Sequence, residues 1–339
     1  MKNIFVIMSV FLTLFLVSCS SNSEEGDGSG EVNLYSPETP DMTKELKKAY
    51  EEEYDDATLN VEYAGTNPLV NKMIAEKGNP NADVWYGGGG FLPFEQAKNE
   101  GILKSYTPEL AEEWDDVEDG IQMKDEDEEW IGAEVFVLGF VYNTDLVDED
   151  EAPETWEDLL DPKWEDEIEM PNPAASGTAT LMVMSQMMEN GEDEAWEYFD
   201  QMQSQISRTP DSGAQPTEDV AKGEAKIGIG FSFMAYEQKL GNDENVDFVV
   251  PDKTPVLVNP VSMIEDGPNP KGGEQFADWL LTEPAQEILA DWYHIPTNPD
   301  VESQTPLSLE DVQDHAMDLD IDFASENLDK VRQEWDERY

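Results

Sequence analysis

The stretch PNPAASGTATLMVMSQMM, residues 171–188, decides how the rest of the chain is interpreted. A proline-bounded turn leads to Ser176, Gly177 and Thr178, and an apolar run of helical character follows. Ser and Thr are favoured helix N-caps because their hydroxyls accept hydrogen bonds from free N–H groups of the first turn. Small side chains also let a ligand approach those N–H groups, where the helix dipole favours an anion. We therefore expect an anion-binding helix end, with an ordinary capped helix as the alternative.

The first residues have the features of a secretion signal. Lys2 precedes a short apolar run, which ends in LVSC at residues 16–19 with the only cysteine of the chain, Cys19. An apolar run this short at the extreme N-terminus is typical of a cleaved signal and not of a membrane span. Its end resembles a bacterial lipoprotein signal, which implies a signal peptide over residues 1–19 and lipid on Cys19. Residues 20–30 are small, polar and acidic, and are predicted to form a flexible tether.

The chain is extremely acidic. It has 78 Asp and Glu against 19 Lys and Arg, a formal net charge of −59. It also has 9 Trp, 13 Phe and 11 Tyr, whereas a disordered acidic chain would be poor in aromatics. No basic face is available for phosphates, which excludes nucleic acid as a partner. Acidic residues spread along the whole sequence indicate a surface suited to high salt, where the Debye length shrinks to about 3 Å at 1 M.

Strand-like and helix-like segments alternate between residues 31 and 99, which predicts an open α/β sheet with parallel strands. A helix is expected to begin at Pro68. Open α/β sheets bind ligands at the carboxyl ends of their strands. The loops at these ends carry the candidate ligand residues Ser36, Thr66, Asn67, Gly88 and Gly89. The two glycines belong to a run of four that does not match a dinucleotide-binding GxGxxG motif.

Two long extended runs, Trp130–Asn143 and Pro255–Ile264, are β-prone and long enough to cross from one lobe to another. The motif PETWEDLLDP at residues 153–162, followed by Ser176–Thr178, is similar to that of the solute-binding lipoproteins of ABC importers. ADVWYGG at residues 82–88 supports the same resemblance, which covers essentially the whole mature chain. The relevant group of this family holds ferric-ion, phosphorylated-sugar and phosphonate binders.

The resemblance implies an α/β fold of the type II periplasmic-binding-protein class. Two Rossmann-like lobes with mixed sheets are joined by a two-strand hinge and close on a ligand between them. Lobe 1 is expected to comprise residues 31–135 and 256–339, and lobe 2 residues 136–255. The resemblance also implies a monomer without cofactor or catalysis, anchored by lipid at the outer face of the cytoplasmic membrane, that delivers a small solute to an ABC permease.

The residues leave two ligand classes open. Ferric binders of this family carry adjacent tyrosines where this chain has Phe231, Ser232 and Phe233. Phenolate oxygens suit a hard cation, whereas phenylalanine cannot bind iron, so ferric binding through Tyr35 and Tyr236 is the alternative. The two phenylalanines could equally be core residues.

An oxyanionic, phosphorylated organic solute is the preferred ligand. Ser176, Gly177 and Thr178 would bind it through N–H and hydroxyl groups, with donors added from the strand-end loops. Arg208 precedes a loop that contains Ser212 and could contact phosphate bidentately, although a surface ion pair is the alternative. The candidate ligand set also includes Phe231 and Ser232.

Sequence motifs for catalysis are missing. The chain has 2 His, at positions 294 and 315, and no GxSxG, HExxH or Walker A match. Paired carboxylates occur throughout such an acidic chain, so none is informative. The sequence therefore predicts a binding protein and not an enzyme, with a secreted glycan-active enzyme as a further alternative.

Overall fold

The computed structural model describes residues 30–118 and 120–339. The predicted signal peptide with Cys19, and residues 20–29 of the predicted tether, lie outside the described residues. Gly30 was expected to end the tether. It instead begins the first strand, where it pairs with Ala57.

Strands and helices alternate through the described chain. The strands are β1 (Gly30–Ser36), β2 (Ala57–Tyr63), β3 (Val84–Tyr86), β4 (Leu103–Lys104), β5 (Val117–Glu118), β6 (Ile121–Gln122), β7 (Ile131–Asn143), β8 (Ile168–Glu169), β9 (Ile206–Arg208), β10 (Ile227–Phe231), β11 (Val246–Val249), β12 (Val256–Ile264) and β13 (Ile295–Pro296). The helices are α1 (Pro40–Glu53), α2 (Thr66–Glu76), α3 (Leu92–Asn99), α4 (Gly177–Asn190), α5 (Glu192–Met202), α6 (Gln215–Ala221), α7 (Ser232–Tyr236), α8 (Pro270–Leu280), α9 (Glu283–Asp291), α10 (Leu309–Gln313) and α11 (Ile321–Arg338).

The main sheet is mixed, with strand order β2-β1-β3-β12-β7-β10-β8-β9. Strand β1 pairs in parallel with β2 and β3, which confirms the predicted parallel α/β start. Strands β12 and β7 run antiparallel in the middle of the sheet, and β10 pairs in parallel with β8. The fold is therefore α/β with an open mixed sheet, as the sequence predicts.

Strands β7 and β12 are the two long extended runs that the sequence predicts. They pair from Val256–Val137 to Val261–Ile131, with a bulge between Asn259 and Pro260. Beyond this segment β7 pairs with β10 and β11 instead. Both strands are buried along their whole length, because side chains on both faces of the sheet are covered. The boundaries of the two lobes stay a prediction.

Helix α4 begins where the sequence places it. Ser176 is its N-cap in an extended conformation, with φ −103° and ψ 126°, and the helix starts at Gly177. Helix α2 begins two residues earlier than expected, at Thr66 and not at Pro68. A proline is tolerated within the first helical turn because the N–H groups of that turn have no intrahelical acceptor. Thr66 and Asn67 are consequently first-turn residues and not loop residues.

The C-terminal helix α11 joins distant parts of the molecule. It packs against both α3 and α4. Near its end, the ring of Trp335 lies 5.4 Å from that of Phe199 and 6.4 Å from that of Trp196, both on α5. Among the described residues, no helix combines the length and apolar character needed to cross a membrane.

Candidate functional site

A cavity of about 380 Å³ lies where three helices begin. The first turns of α2, α3 and α4 contribute lining residues, and β12, α11 and the glycine turn after β3 complete the wall. The lining residues are Gly65, Thr66, Asn67, Pro68, Gly88, Gly89, Gly90, Phe91, Leu92, Pro93, Gln96, Ala175, Gly177, Leu181, Leu257, Leu328 and Arg332. Five residues predicted from sequence are thus brought to one cavity: Thr66, Asn67, Gly88, Gly89 and Gly177.

The three helix starts at this cavity have one feature in common, which α1, α5, α6, α7 and α9 also have. None of the N-caps of α2, α3 and α4 makes a side-chain hydrogen bond to the helix. In α4 the first backbone hydrogen bond within the helix runs from Thr180 N to Ser176 O, at 3.0 Å. The N–H groups of the preceding turn therefore have no intrahelical acceptor. Three helix dipoles with their positive ends at one cavity favour an anion there.

The glycine turn shapes the wall of the cavity but its donors are already used. Gly87 to Gly90 all have positive φ, between 77° and 144°, which only glycine adopts readily. Gly88 N donates to Glu38 Oε1 at 3.2 Å, and Gly89 N donates to Asn259 Oδ1 at 2.9 Å. The structure thus places this turn beside the cavity with these two N–H groups bonded inside the protein.

A buried polar network lies behind the glycine turn. Asn259 Nδ2 donates to Glu134 Oε1 at 2.8 Å and to Glu38 Oε1 at 3.0 Å, and Tyr86 donates to Glu134 Oε2 at 2.6 Å. Burial raises the pKa of Glu134 to about 7. Burial and the neighbouring charge of Glu134 raise the pKa of Glu38 to about 7 as well. Burial lowers the pKa of His294, whose Nδ1 lies 3.4 Å from Glu134 Oε1, to about 4.

Ser176 and Thr178 flank the cavity residue Gly177 and face a loop. Both are buried, and a Cβ placed on Gly213 would lie 3.1 Å from Ser176 Oγ and 2.9 Å from Thr178 Oγ1. The loop before α6 therefore packs directly on the start of α4. Ser212 belongs to this loop and is exposed. Ser36 is buried and is not among the lining residues of the cavity, and its Oγ accepts from Glu38 N at 3.2 Å.

Arg208 lies in an ion-pair cluster. Its Nη2 is 2.7 Å from Glu169 Oε1, 2.5 Å from Asp219 Oδ2 and 3.6 Å from Glu224 Oε2. Arg208 is not among the lining residues of the cavity. These contacts are those of an ion-paired arginine, the alternative that the sequence left open.

The aromatic segment after β10 is packed into the protein. The ring of Phe231 lies 4.7 Å from that of Phe136, and Phe233 stacks on His294 at 4.5 Å. Ser232 Oγ accepts from Val137 N at 3.2 Å. These contacts match the core role that the sequence offered for the two phenylalanines.

The two phenols considered for iron are occupied or buried. Tyr35 donates to Glu76 Oε2 at 2.9 Å, and burial raises its pKa to about 12. Tyr236 is buried and its pKa is also raised, chiefly by burial. Within residues 30–118 and 120–339, no group of three His, Cys, Asp or Glu side chains is arranged to hold a metal ion.

Several lining residues escaped sequence reasoning. Leu257 comes from β12, and Leu328 and Arg332 come from α11, more than 140 residues after the start of α4 at Gly177. No local pattern in the last helix indicates that it reaches this cavity. The one available signal is the scarcity of arginine in this acidic chain, which has only Arg208, Arg332 and Arg338.

A model of the bacterial extracellular solute-binding protein family matches residues 79–325. The chain belongs to this family. Among curated relatives, an uncharacterized protein of Haemophilus influenzae is 28% identical over 307 residues, which cover 88% of this chain and 87% of the relative. Iron uptake protein A1 of a Synechocystis strain is 25% identical over 277 residues, 77% of this chain and 73% of the relative.

Solved structures of the same class superimpose on this solute-binding protein. The periplasmic binding protein AfuA from Actinobacillus pleuropneumoniae, with fructose-6-phosphate bound, has a TM-score of 0.77 at 28% identity and covers 91% of this chain and 98% of its own. Iron-bound HitA from Pseudomonas aeruginosa has a TM-score of 0.78 at 17% identity, covering 90% and 99%, and shows the fold alone. The predicted type II periplasmic-binding-protein fold and the role as solute-binding component of an ABC importer are thereby confirmed.

Proposed function

We propose that this solute-binding protein captures a small oxyanionic solute, of the phosphorylated-organic class, in the cavity at the starts of α2, α3 and α4. The observation that carries the proposal is the convergence of three helix N-termini without side-chain caps. Backbone N–H groups and helix dipoles bind an oxyanion without any net positive charge on the protein. The negative total charge of −59 acts mainly at long range and is screened by salt.

The size of the cavity fits a small organic solute. Ligand pockets typically measure about 300–1,000 Å³, and this one measures about 380 Å³. Its wall is partly apolar, through Phe91, Leu181 and Leu257, which suits the carbon skeleton of a phosphate ester better than a bare ion. The similarity to a fructose-6-phosphate-bound protein at 28% identity supports the same solute class.

Ferric ion remains the second candidate because iron uptake protein A1 is among the relatives. The phenols argue against it. Raised pKa values make phenolate formation at Tyr35 and Tyr236 costly, and the hydroxyl of Tyr35 already donates to Glu76. The neighbouring positions 231 and 233 carry phenylalanine, which supplies no ligand atom.

Capture proceeds without chemistry, by closure of the two proposed lobes, residues 31–135 with 256–339 and residues 136–255. A solute shifts the equilibrium between open and closed forms only when it contacts both sides. The cavity is lined by α2 and α3 from the first proposed lobe and by α4 from the second. The closed monomer, held at the outer face of the cytoplasmic membrane by lipid on Cys19, would then present the solute to the permease.

Calorimetric titration of the purified protein tests the proposal. Fructose 6-phosphate, fructose and ferric citrate are titrated separately at about 1 M salt, where surface repulsion is screened. We expect saturable binding of the phosphate ester and none of the free sugar. Saturable ferric binding with a charge-transfer band, together with no binding of the phosphate ester, would show that the ligand is ferric ion and would contradict the proposal.

A further inference from the structure

Of the arginines in the described part of the chain, Arg332 on α11 is the one whose guanidinium lines the cavity. It shares the wall with Gly177 on α4 and with Thr66 and Asn67 on α2. Its Nε donates to Thr180 Oγ1 at 3.5 Å, one turn into α4 from Gly177. This contact holds the side chain against the helix whose first turn opens on the cavity.

Arg332 differs from the other arginines in its lack of a carboxylate partner. Arg208 pairs with three carboxylates and Arg338 pairs with Glu334 at 2.7 Å. No ion pair within 4.0 Å involves Arg332 in the described chain, residues 30–118 and 120–339. Among the described residues this guanidinium thus has no carboxylate at ion-pair distance, and the acidic groups of the adjoining groove are Glu100, Glu326 and Asp329.

The position of Arg332 also leaves room for a ligand around it. A second groove of about 470 Å³ between α2, α3 and α11 shares Asn67, Gln96 and Leu328 with the cavity, and Arg332 lies on the boundary. A solute bound at the guanidinium can therefore extend from the apolar cavity towards this polar groove. The side chain is half-buried, so it is reachable and partly desolvated.

We propose that Arg332 binds the anionic group of the solute directly, which makes the C-terminal helix the charged wall of the site. The inference rests on the proposed function and names its anion-binding residue. A planar guanidinium offers paired N–H donors that match two oxygens of a tetrahedral oxyanion, such as a phosphate or a phosphonate. The first turns of α2 and α4 line the same cavity, and their backbone N–H groups would add donors to the same anionic group.

The arrangement explains how so acidic a protein holds an anion. The local field comes from the Arg332 guanidinium and three helix ends, while most carboxylates lie at the surface and are screened by salt. The buried Glu38 and Glu134 behind the glycine turn have raised pKa values, which favours their neutral forms. Because Arg332 lies on a helix that packs on both α3 and α4, the anion contact joins elements from both proposed lobes.

The test compares Arg332→Gln and Arg332→Lys with Lys330→Gln. Lys330 lies on the same helix, is exposed and pairs with Glu192 at 2.8 Å, so its substitution removes the same charge without reaching the cavity. Each variant is titrated calorimetrically with inorganic phosphate, fructose 6-phosphate and fructose at about 1 M salt. Circular dichroism and thermal unfolding show whether each variant is folded.

We expect Arg332→Gln to weaken binding of both phosphate probes by roughly 10- to 100-fold, the cost of a charge-assisted hydrogen bond. The affinity of Arg332→Lys should lie between those of the wild type and Arg332→Gln, because lysine keeps the charge but lacks the paired N–H donors. Lys330→Gln should bind like the wild type. If Arg332→Gln fails to fold, the affinity of Arg332→Lys relative to the wild type provides the test.

Three results overturn the inference. If Arg332→Gln binds the phosphate probes with wild-type affinity, Arg332 does not contact the anion, and the proposed oxyanion function is unaffected. Equal losses in Arg332→Gln and Lys330→Gln indicate a long-range charge effect without contact. A wild-type protein that binds neither phosphate probe overturns the arginine contact and the proposed oxyanion function together.

Discussion

At the scale of single residues, Gly177 offers a direct probe of the cavity. A Cβ built on Gly177 would meet no atom within 4 Å, so a side chain there points into open space. We expect Gly177→Val to obstruct the solute and weaken its binding by at least roughly tenfold. The unfolding free energy should change by less than about 1 kcal/mol, because no packed neighbour must move.

Titration calorimetry and thermal unfolding of Gly177→Ala and Gly177→Val provide the graded comparison. The smaller side chain should cost less affinity than the larger. Unchanged affinity in both variants would show that the solute lies elsewhere.

The buried carboxyls beside the glycine turn give the protein a pH signature. Burial raises the pKa of Glu38 and Glu134 to about 7, so the neutral forms are favoured in the folded protein. Their contribution to stability is complete below the ordinary carboxyl pKa and is lost as pH rises through about 7. His294 acts in the opposite sense, because its pKa is lowered to about 4 and its contribution is lost as pH falls below about 6.5.

Glu134→Gln isolates the carboxyl contribution. Glutamine stays neutral, so the variant should gain stability relative to the wild type as pH rises from about 5 to about 8, by about 1–3 kcal/mol. Urea unfolding across this pH range measures the difference. The exposed Glu113→Gln is the control and should track the wild type throughout. A constant difference between Glu134→Gln and wild type would mean that Glu134 titrates normally.

At the scale of elements, α11 must be held in place for its side chains to reach the cavity. Trp335 is buried against Trp196 and Phe199, one turn beyond Arg332. Replacing a buried tryptophan by alanine costs about 3–5 kcal/mol, so Trp335→Ala should destabilise the protein by that order and also weaken solute binding. Trp335→Phe keeps an aromatic ring in the same pocket, so it should lose less stability and less solute affinity than Trp335→Ala.

Chemical unfolding and calorimetry of the two Trp335 variants check this expectation. If the Trp335 variants lost stability but kept their affinity for the solute, α11 would not contribute to solute binding. The result would then count against Arg332 as well.

Local signals explain which elements the sequence predicts correctly. The small residues before α4, the glycine run after β3 and the two long β-prone runs each occupy a contiguous stretch, and periodicity and capping rules apply to such stretches. The predicted start of α2, Pro68, lies two residues after the observed start because proline is acceptable at several first-turn positions.

The parts of the site that sequence reasoning missed depend on contacts between distant residues. Asn259 accepts the N–H of Gly89 across 170 positions, which removes a donor that the glycine run alone seemed to offer. Arg332 reaches Thr180 across 152 positions. Arg208 carries the same functional group, but Glu169 and Asp219 neutralise it after folding. No local pattern distinguishes the paired arginine from the unpaired one.

At the scale of the whole molecule, charge and solute capture impose opposite demands. A net charge of −59 favours solubility but destabilises a compact chain through self-repulsion. In the proposed site, helix dipoles and Arg332 offset this repulsion locally, and we expect the fold as a whole to depend on screening by salt. The Debye length falls from about 10 Å at 0.1 M to about 3 Å at 1 M, so repulsion between exposed carboxylates weakens as salt is added.

We therefore expect the Tm of the protein to rise by at least about 5 °C between roughly 0.1 M and 1 M NaCl, equivalent to about 3 kcal/mol at this size. Differential scanning calorimetry measures the shift. Sucrose at matched osmolality is the control, because it stabilises folded proteins by exclusion from their surface and screens no charge. If sucrose reproduced the whole effect, or if NaCl had none, self-repulsion would not limit the stability of this fold. A salt-specific rise would establish that screening of the acidic chain stabilises its fold.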